Sequence, residues 1–128
     1  MAVDQITHRN VHRRTTVLVF ERGPDKRPTS SLQVTQMGDN ALIDSLMGPG
    51  FYRLMERVGL QPFTELGIHF VYAAVTDLHL QVMRERMPLL RVTRLRGTVV
   101  DGIAMNWVEI SASGNSGLAM SDSTFAAL

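Results

Sequence analysis

Apolar and polar residues alternate most clearly between positions 70 and 83, where the sequence reads FVYAAVTDLHLQVM. The even-numbered positions are mostly apolar, and the odd-numbered positions of the second half carry Asp77, His79 and Gln81. A period of two places successive side chains on opposite faces of a sheet, whereas a helix would scatter them around its surface. The pattern therefore predicts one central strand over 70–83. Because this segment is much longer than a typical strand of ~5–6 residues, we expect it to bend around a core.

One helical region is predicted between residues 41 and 58. Apolar residues recur there at helical spacing, and Asp39 and Asn40 precede them as an N-cap signal, because their side-chain oxygens can accept from a first-turn amide. The tripeptide GPG at 48–50 interrupts the run, and since proline suits the first turn of a helix, a new helix is predicted to start near it. Gly59 is the predicted C-terminal stop.

The remaining apolar segments are predicted to be strands, with loops over 21–31 and 60–67 and a turn over 114–117. The dipeptide Asp101-Gly102 predicts a two-residue hairpin, because glycine adopts a positive φ without steric cost. The predicted strands are 15–20, 32–37, 89–100, 103–113 and 118–128.

Composition limits the class of protein. The chain has 128 residues, of which 45% are hydrophobic, so we expect a single domain over 1–128 with a flexible N-terminal arm at 1–14. A formal net charge of +1 argues against a nucleic-acid partner, and the lack of cysteine excludes disulfides and thiolate metal sites. His8 and His12 have no third ligand nearby in sequence, so no metal is predicted. Without a signal-peptide core or an apolar run of ~20 residues, a soluble, cytoplasmic protein without a membrane partner is expected.

The order of the predicted elements favours an α+β fold. One helix followed by an antiparallel meander has few ways to bury one face of the sheet. The economical arrangement is the hot-dog fold, in which a curved antiparallel sheet wraps around one central helix. The alternative is a cone-shaped α+β barrel, which usually begins with two or three helices.

Several segments resemble the hot-dog acyl-CoA thioesterases of the 4-hydroxybenzoyl-CoA thioesterase type. These are the helical run after Asp39-Asn40, then TDLHLQVMRE at 76–85 and LLRVTRLRG at 89–97. Within that type, the chain is most similar to the betainyl-CoA-like thioesterases associated with carnitine catabolism. The resemblance implies hydrolysis of an acyl-CoA thioester in a pocket at the interface of a homodimer, or of a dimer of dimers, with no cofactor.

Four residues are the main candidates for that chemistry, and Asp44 is a further one at lower rank. Thioester hydrolysis needs a carboxylate and donors for the developing oxyanion, and Asp39 and Asn40 beside a helix N-terminus suit these roles, although Asp39 also suits a plain N-cap. Glu56 is a second carboxylate candidate or part of a solvated face, and Asp44 is a third. His79 can act as a general base or be structural.

Arginines concentrate between positions 84 and 96. They form either a solvated strand and turn or a clamp for the phosphates of coenzyme A, for which Arg84, Arg91 and Arg94 are the candidates. Two other functions stay open. One is a non-catalytic hot-dog or cone-barrel domain that binds a small ligand or a partner, since the Gly-His pair usual ahead of the helix in these thioesterases is absent. The other is a dehydratase or isomerase on the same fold.

Overall fold

The computed structural model describes residues 4–9 and 13–113, and it contains one seven-stranded sheet with the strand order β1-β2-β3-β4-β5-β7-β6. The helices are α1 (Gly50–Val58), α2 (Gln61–Thr64) and α3 (Asp77–Arg86). The strands are β1 (Asp4–Arg9), β2 (Arg14–Arg22), β3 (Pro28–Met37), β4 (Asn40–Met47), β5 (Phe70–Val75), β6 (Leu90–Val100) and β7 (Ile103–Ala112).

The sheet is mixed. Within the described residues β4 and β5 pair in parallel, and every other neighbouring pair is antiparallel. A parallel pair needs a crossover connection, and α1 and α2 supply it between β4 and β5. Helix α3 then carries the chain from β5 to β6, with β7 lying between those two strands.

The core lies between one face of the sheet and the helices. Strand residues of that face, such as Leu18, Val71 and Val108, form one buried cluster with α1 and α3 residues. We call this face the helix side of the sheet. Residues that alternate with these along the strands, such as Tyr72 and Trp107, lie on the opposite side. The register of β5 with β7 therefore assigns each β5 residue to one of the two faces of the sheet.

The hot-dog prediction is wrong, because no helix is wrapped by the described sheet and the sheet contains a parallel pair. Residues 40–47 form strand β4 and not a helix. Gly38, with φ of 60°, turns the chain back so that β4 pairs with β3 from Met37 to Ser31. Because this strand has apolar residues on both faces, their spacing also fits a helix. Backbone hydrogen bonding with β3 makes the segment a strand.

The predicted long strand is also wrong in its second half. Strand β5 ends at Val75, and the Thr76 hydroxyl accepts a hydrogen bond from the His79 backbone N–H at 3.2 Å, capping α3. Buried Leu80, Met83 and Met87 follow a spacing of three and four, which is helical. The alternation of 76–82 fits a strand equally well by pattern, but the cap and this buried stripe determine a helix.

Other predictions are confirmed. Strand 15–20 lies within β2, and α1 begins after Pro49 and ends at Gly59. Asp101 and Gly102, with φ of 51° and 78°, form the predicted hairpin turn between β6 and β7. Strands 89–100 and 103–113 correspond to β6 and β7 with shifts of one residue, whereas β3 begins at Pro28, four residues before the predicted strand 32–37, so the predicted loop over 21–31 is shorter.

The terminal regions differ from this picture in two ways. Asp4–Arg9 pair with β2, so this part of the expected arm is an edge strand. The predicted turn at 114–117 and strand at 118–128 lie outside the described residues, and the extent of the domain over 1–128 stays a prediction. No helix in the described part of the chain has the length and apolar character needed to cross a membrane.

Candidate functional site

The parallel strands β4 and β5 separate part-way along their length. They pair only at Asn40–Phe70, Ala41–Val71 and Leu42–Tyr72 within the described residues. Beyond Leu42, β4 continues to Met47 alongside β3, while β5 stays with β7. A cleft therefore opens between the carboxyl ends of two parallel strands, which is where open α/β sheets bind ligands.

This cleft forms a cavity of about 500 Å³. Its volume falls within the ~300–1,000 Å³ typical of small-molecule sites. Most of the lining is apolar, with a few polar groups from β4, α1 and α3. The lining residues are Ile43, Asp44, Ser45, Leu46, Phe51, Tyr52, Ala73, Ala74, Val75, His79, Met83, Val100, Met105, Trp107 and Ile110.

Residues of both faces of the sheet line the cavity. Ala73 is paired with core residue Val108 on the helix side, whereas Ala74 is paired with Trp107 on the opposite side, and both alanines line the cavity. Tyr52 and His79 line it from the helices. A cavity lined from both faces of a sheet, at the point where two strands separate, has room for two ligands whose reacting ends meet between the strands.

Tyr52 and His79 lie next to each other at the helix side of the cavity. Their ring centroids are 5.3 Å apart, and the Tyr52 ring also packs edge-on against Phe51. Burial raises the pKa of the Tyr52 hydroxyl above its ordinary value of 10.0. The phenol therefore keeps its proton at neutral pH and can donate it to a basic group formed in the cavity.

The loop that enters α1 is built around two glycines. Gly48 has a φ of 77°, and a Cβ there would overlap the Thr29 carbonyl oxygen. Gly50 begins α1, and its backbone N–H donates to the buried Ser30 Oγ at 3.0 Å. These close approaches hold the start of α1 against β3, next to the end of β4 that lines the cavity.

The N-terminus of α1 favours an anion. In this stretch, which is fully described, the first turn contains no acidic residue, and Arg53 contributes a guanidinium that pairs with Glu21. First-turn amides and the helix dipole attract negative charge such as a phosphate group. The carboxylate of Glu21 lies beside Gly50, so a phosphate binding here would compete with it for Arg53.

Asp44 is held on the opposite side of the cavity. It is the extra residue of a β-bulge, since Val34 pairs with Ile43 while the preceding Gln33 pairs with Ser45. The Thr35 hydroxyl donates a hydrogen bond to Asp44 Oδ2. Asp44 is exposed, and it is the one carboxylate among the described residues that line the cavity.

Of the four main catalytic candidates, Asp39, Asn40, Glu56 and His79, the structure places His79 alone in the cavity lining. Asp39 lies in the β3–β4 turn and Asn40 begins β4, both at the end of β4 away from the cavity, and the Asp39 carbonyl accepts from the backbone N–H of His69 at 2.8 Å. Glu56 is exposed on α1 and does not line the cavity. The lower-ranked carboxylate candidate, Asp44, does line it.

The three predicted phosphate-binding arginines also lie outside the cavity lining. The Arg84 Nε donates to the Val92 carbonyl at 3.4 Å, and Arg91 is exposed on β6. The Arg94 Nε donates to Asn106 Oδ1 at 2.7 Å. Their role as substrate-binding residues stays a prediction, since the cavity is bounded by other side chains.

Sequence reasoning missed Tyr52 and Trp107 as residues that line the cavity. The GPG tripeptide was identified only as a helix boundary, although glycines between a strand and a helix are also a feature of phosphate-binding loops. In the described residues no group of three His, Cys, Asp or Glu side chains could hold a metal ion.

Comparison with known proteins places this geometry in a known fold. No protein-family model matches the chain, and no curated protein matches it either. An acetyltransferase from Bacillus cereus matches in structure with a TM-score of 0.50 and 12% identity, over 78% of this chain and 74% of that one. A chimera that includes the spermidine N-acetyltransferase of Vibrio cholerae matches with a TM-score of 0.50 and 16% identity, over 80% and 69%.

The chain therefore shares the mixed-sheet fold of these acetyltransferases. The resemblance to hot-dog thioesterases is wrong, and thioester hydrolysis falls with it. The two alternative functions, a non-catalytic ligand-binding domain and a dehydratase or isomerase, were predicted on the hot-dog or cone-barrel fold. The observed fold contradicts them as well. The homodimer or dimer of dimers, the cytoplasmic location and the absence of a nucleic-acid partner stay predictions.

Proposed function

We propose that this protein transfers an acyl group, in the simplest case acetyl, from coenzyme A to the nitrogen of an amine. The observation that carries the proposal is the cavity between the separated strands β4 and β5, which residues of both faces of the sheet line. A transfer reaction must bring two substrates together, and such a cavity accepts one from each side. The similar solved structures are acetyltransferases, which supports the same class of reaction.

The α1 start is the proposed site for the phosphates of acyl-CoA. Its amides and Arg53 offer donors for phosphate oxygens, and the adjacent cavity offers an apolar space for the acyl group. From this position the thioester enters the cavity from the helix side, past Phe51 and Tyr52. The strand edges supply a further feature. Beyond Leu42 the backbone of β4 that faces β5 has no strand partner in the described residues, so its N–H groups can donate to the thioester oxygen.

The proposed chemistry is a direct transfer. The ammonium of the acceptor loses one proton to His79, and the resulting amine attacks the thioester carbon, forming a C–N bond and a tetrahedral oxyanion. The oxyanion collapses, the C–S bond breaks, and the departing thiolate takes a proton from the Tyr52 hydroxyl. The nitrogen then gives its second proton to the Tyr52 phenolate, which leaves a neutral amide and restores the phenol. The raised pKa of Tyr52 keeps its proton available at neutral pH, and the His79 imidazole at the cavity supplies a nitrogen that can accept one.

The test is a titration with acetyl-CoA followed by an assay of thiol release with and without a panel of amines. We expect binding of acetyl-CoA, thiol release that depends on an amine, and an acetylated amine in the mass spectrum. Tyr52→Phe and His79→Gln should each lower kcat by about 10²-fold, the usual contribution of general acid–base catalysis. His69→Gln, an exposed histidine outside the lining, is the matched control.

Two outcomes would overturn the proposal. The first is that acetyl-CoA does not bind. The second is that thiol release proceeds at the same rate without any amine, which would indicate hydrolysis. A loss of activity in His69→Gln equal to that in His79→Gln would remove the assigned role of His79.

A further inference from the structure

The two sides of the cavity differ in chemistry. The helix side carries Tyr52 and His79, whereas the opposite side is mostly apolar, with Asp44 and Ser45 as its polar residues from β4. If the acyl-CoA enters from the helix side, the acceptor amine must approach from the opposite side. The residues there consequently define what kind of amine fits, and this argument rests on the proposed function.

Asp44 is suited to hold a cationic nitrogen. The Thr35 hydroxyl occupies Oδ2, which fixes the carboxylate and leaves Oδ1 to accept from a ligand. The β-bulge at this position lets Asp44 depart from the regular alternation of β4. A carboxylate that accepts from an ammonium forms a charge-assisted hydrogen bond, which is stronger than a neutral one.

The wall beside Asp44 is built for an apolar group. Trp107, Met105 and Val100 come from the β6–β7 hairpin and line the cavity together with Ala74 of β5. An indole face attracts a nearby cation and also packs against aromatic and aliphatic groups. Methionine adapts its shape to such a ligand.

The charge count limits the acceptor further. A compound with several ammonium groups needs a partner for each one that leaves water. Among the described lining residues Asp44 is the one carboxylate, and the surrounding side chains are mostly apolar. A polyamine bound with one ammonium at Asp44 would therefore find no second carboxylate in the described lining, whereas an amine with one charge needs none.

We infer that the acceptor is a compound with one ammonium group and an apolar or aromatic body, bound with its nitrogen at Asp44 and its body against Trp107. One N–H of the ammonium stays with Asp44 while another proton passes to His79. The nitrogen lone pair then points toward the thioester between the strands.

The experiment compares three acceptors at saturating acetyl-CoA: phenethylamine, ethanolamine and spermidine. Phenethylamine has one ammonium and an aromatic body, ethanolamine keeps the ammonium without that body, and spermidine has several ammonium groups. We expect kcat/KM for phenethylamine to exceed each of the others by about 10-fold or more, as burial of an aromatic body contributes at least ~1.4 kcal/mol.

Variants separate the two parts of the proposed site. Asp44→Asn should raise KM for phenethylamine by about 10-fold, consistent with loss of a charge-assisted hydrogen bond, and leave the Kd of acetyl-CoA unchanged. Trp107→Leu should lower the preference for phenethylamine over ethanolamine. Thr35→Val should raise KM and Thr35→Ser should restore it, because only the hydroxyl fixes Asp44.

Asp101→Asn is the matched control, since it removes an equal charge from the exposed turn next to Val100 without changing the lining. An equal rise of KM in Asp101→Asn would show a general charge effect and overturn the role of Asp44. Spermidine as the best acceptor would overturn the inferred substrate class while leaving the proposed acyl transfer intact. If acetyl-CoA fails to bind at all, the proposed function fails first.

Discussion

At the scale of single residues, two glycines with similar backbone angles have different reasons to be glycine. Gly48 and Gly38 have φ of 77° and 60°, so a side chain is strained at either position. At Gly38 nothing lies within 4 Å of an added Cβ, whereas at Gly48 that atom would overlap the Thr29 carbonyl oxygen. A side chain in this left-handed conformation costs about 1–2 kcal/mol. A substitution at Gly38 therefore tests backbone strain alone, whereas one at Gly48 tests strain together with the close approach of the backbone.

The pair gives a prediction for stability and binding. Gly38→Ala should lower the free energy of unfolding by about 1–2 kcal/mol and leave acetyl-CoA binding unchanged. Gly48→Ala should lower it further and weaken acetyl-CoA binding, because the loop must shift away from β3. Urea denaturation and a binding titration measure the two effects. Equal losses in both variants would show that the packing of the GPG loop has no role.

At the scale of elements, the sequence predicts those whose ends carry local chemistry. Helix α1 is found because Pro49 and Gly59 mark its ends, and the β6–β7 hairpin because Asp101-Gly102 demands positive φ. Strand β4 was missed because its ladder with β3 is a non-local interaction that its own apolar spacing does not reveal. The site has the same limit, since His79 and Asp44 can be chosen by residue type, but Trp107 joins them only through the separation of β4 from β5.

The switch from strand to helix at Thr76 leads to a prediction for α3. Thr76→Ala removes the hydroxyl that accepts from the His79 N–H, and a lost N-cap costs about 1 kcal/mol. Thr76→Ser keeps that oxygen and should retain most of the stability. Because the first turn of α3 carries His79, we also expect Thr76→Ala to lower kcat more than it changes the Kd of acetyl-CoA. A Thr76→Ser variant as unstable as Thr76→Ala would contradict the capping role.

At the scale of the whole molecule, the sheet divides into parts that ligand binding should affect differently. The strands β1, β2 and β3 form one antiparallel unit, while the cavity separates the ends of β4 and β5. A ligand that binds the native state stabilises it by RT ln(1 + [L]/Kd), about 2.7 kcal/mol at a ligand concentration of 100 Kd. We expect bound ligand to reduce local unfolding around the cavity more than in the rest of the sheet, because the ligand contacts both walls of the cleft.

Hydrogen exchange with and without acetyl-CoA tests this division. We expect the largest gain in protection for amides of 43–52 and 73–79, which cover the cavity walls and the α1 start. The β1–β2 pair lies at the far edge of the sheet and serves as the internal control, with protection changed only by global stabilisation. If the gain falls instead around Arg84, Arg91 and Arg94, coenzyme A binds at the arginines predicted from the sequence. The cavity between the strands would then not be its site, because ordered amides report where the ligand makes contact.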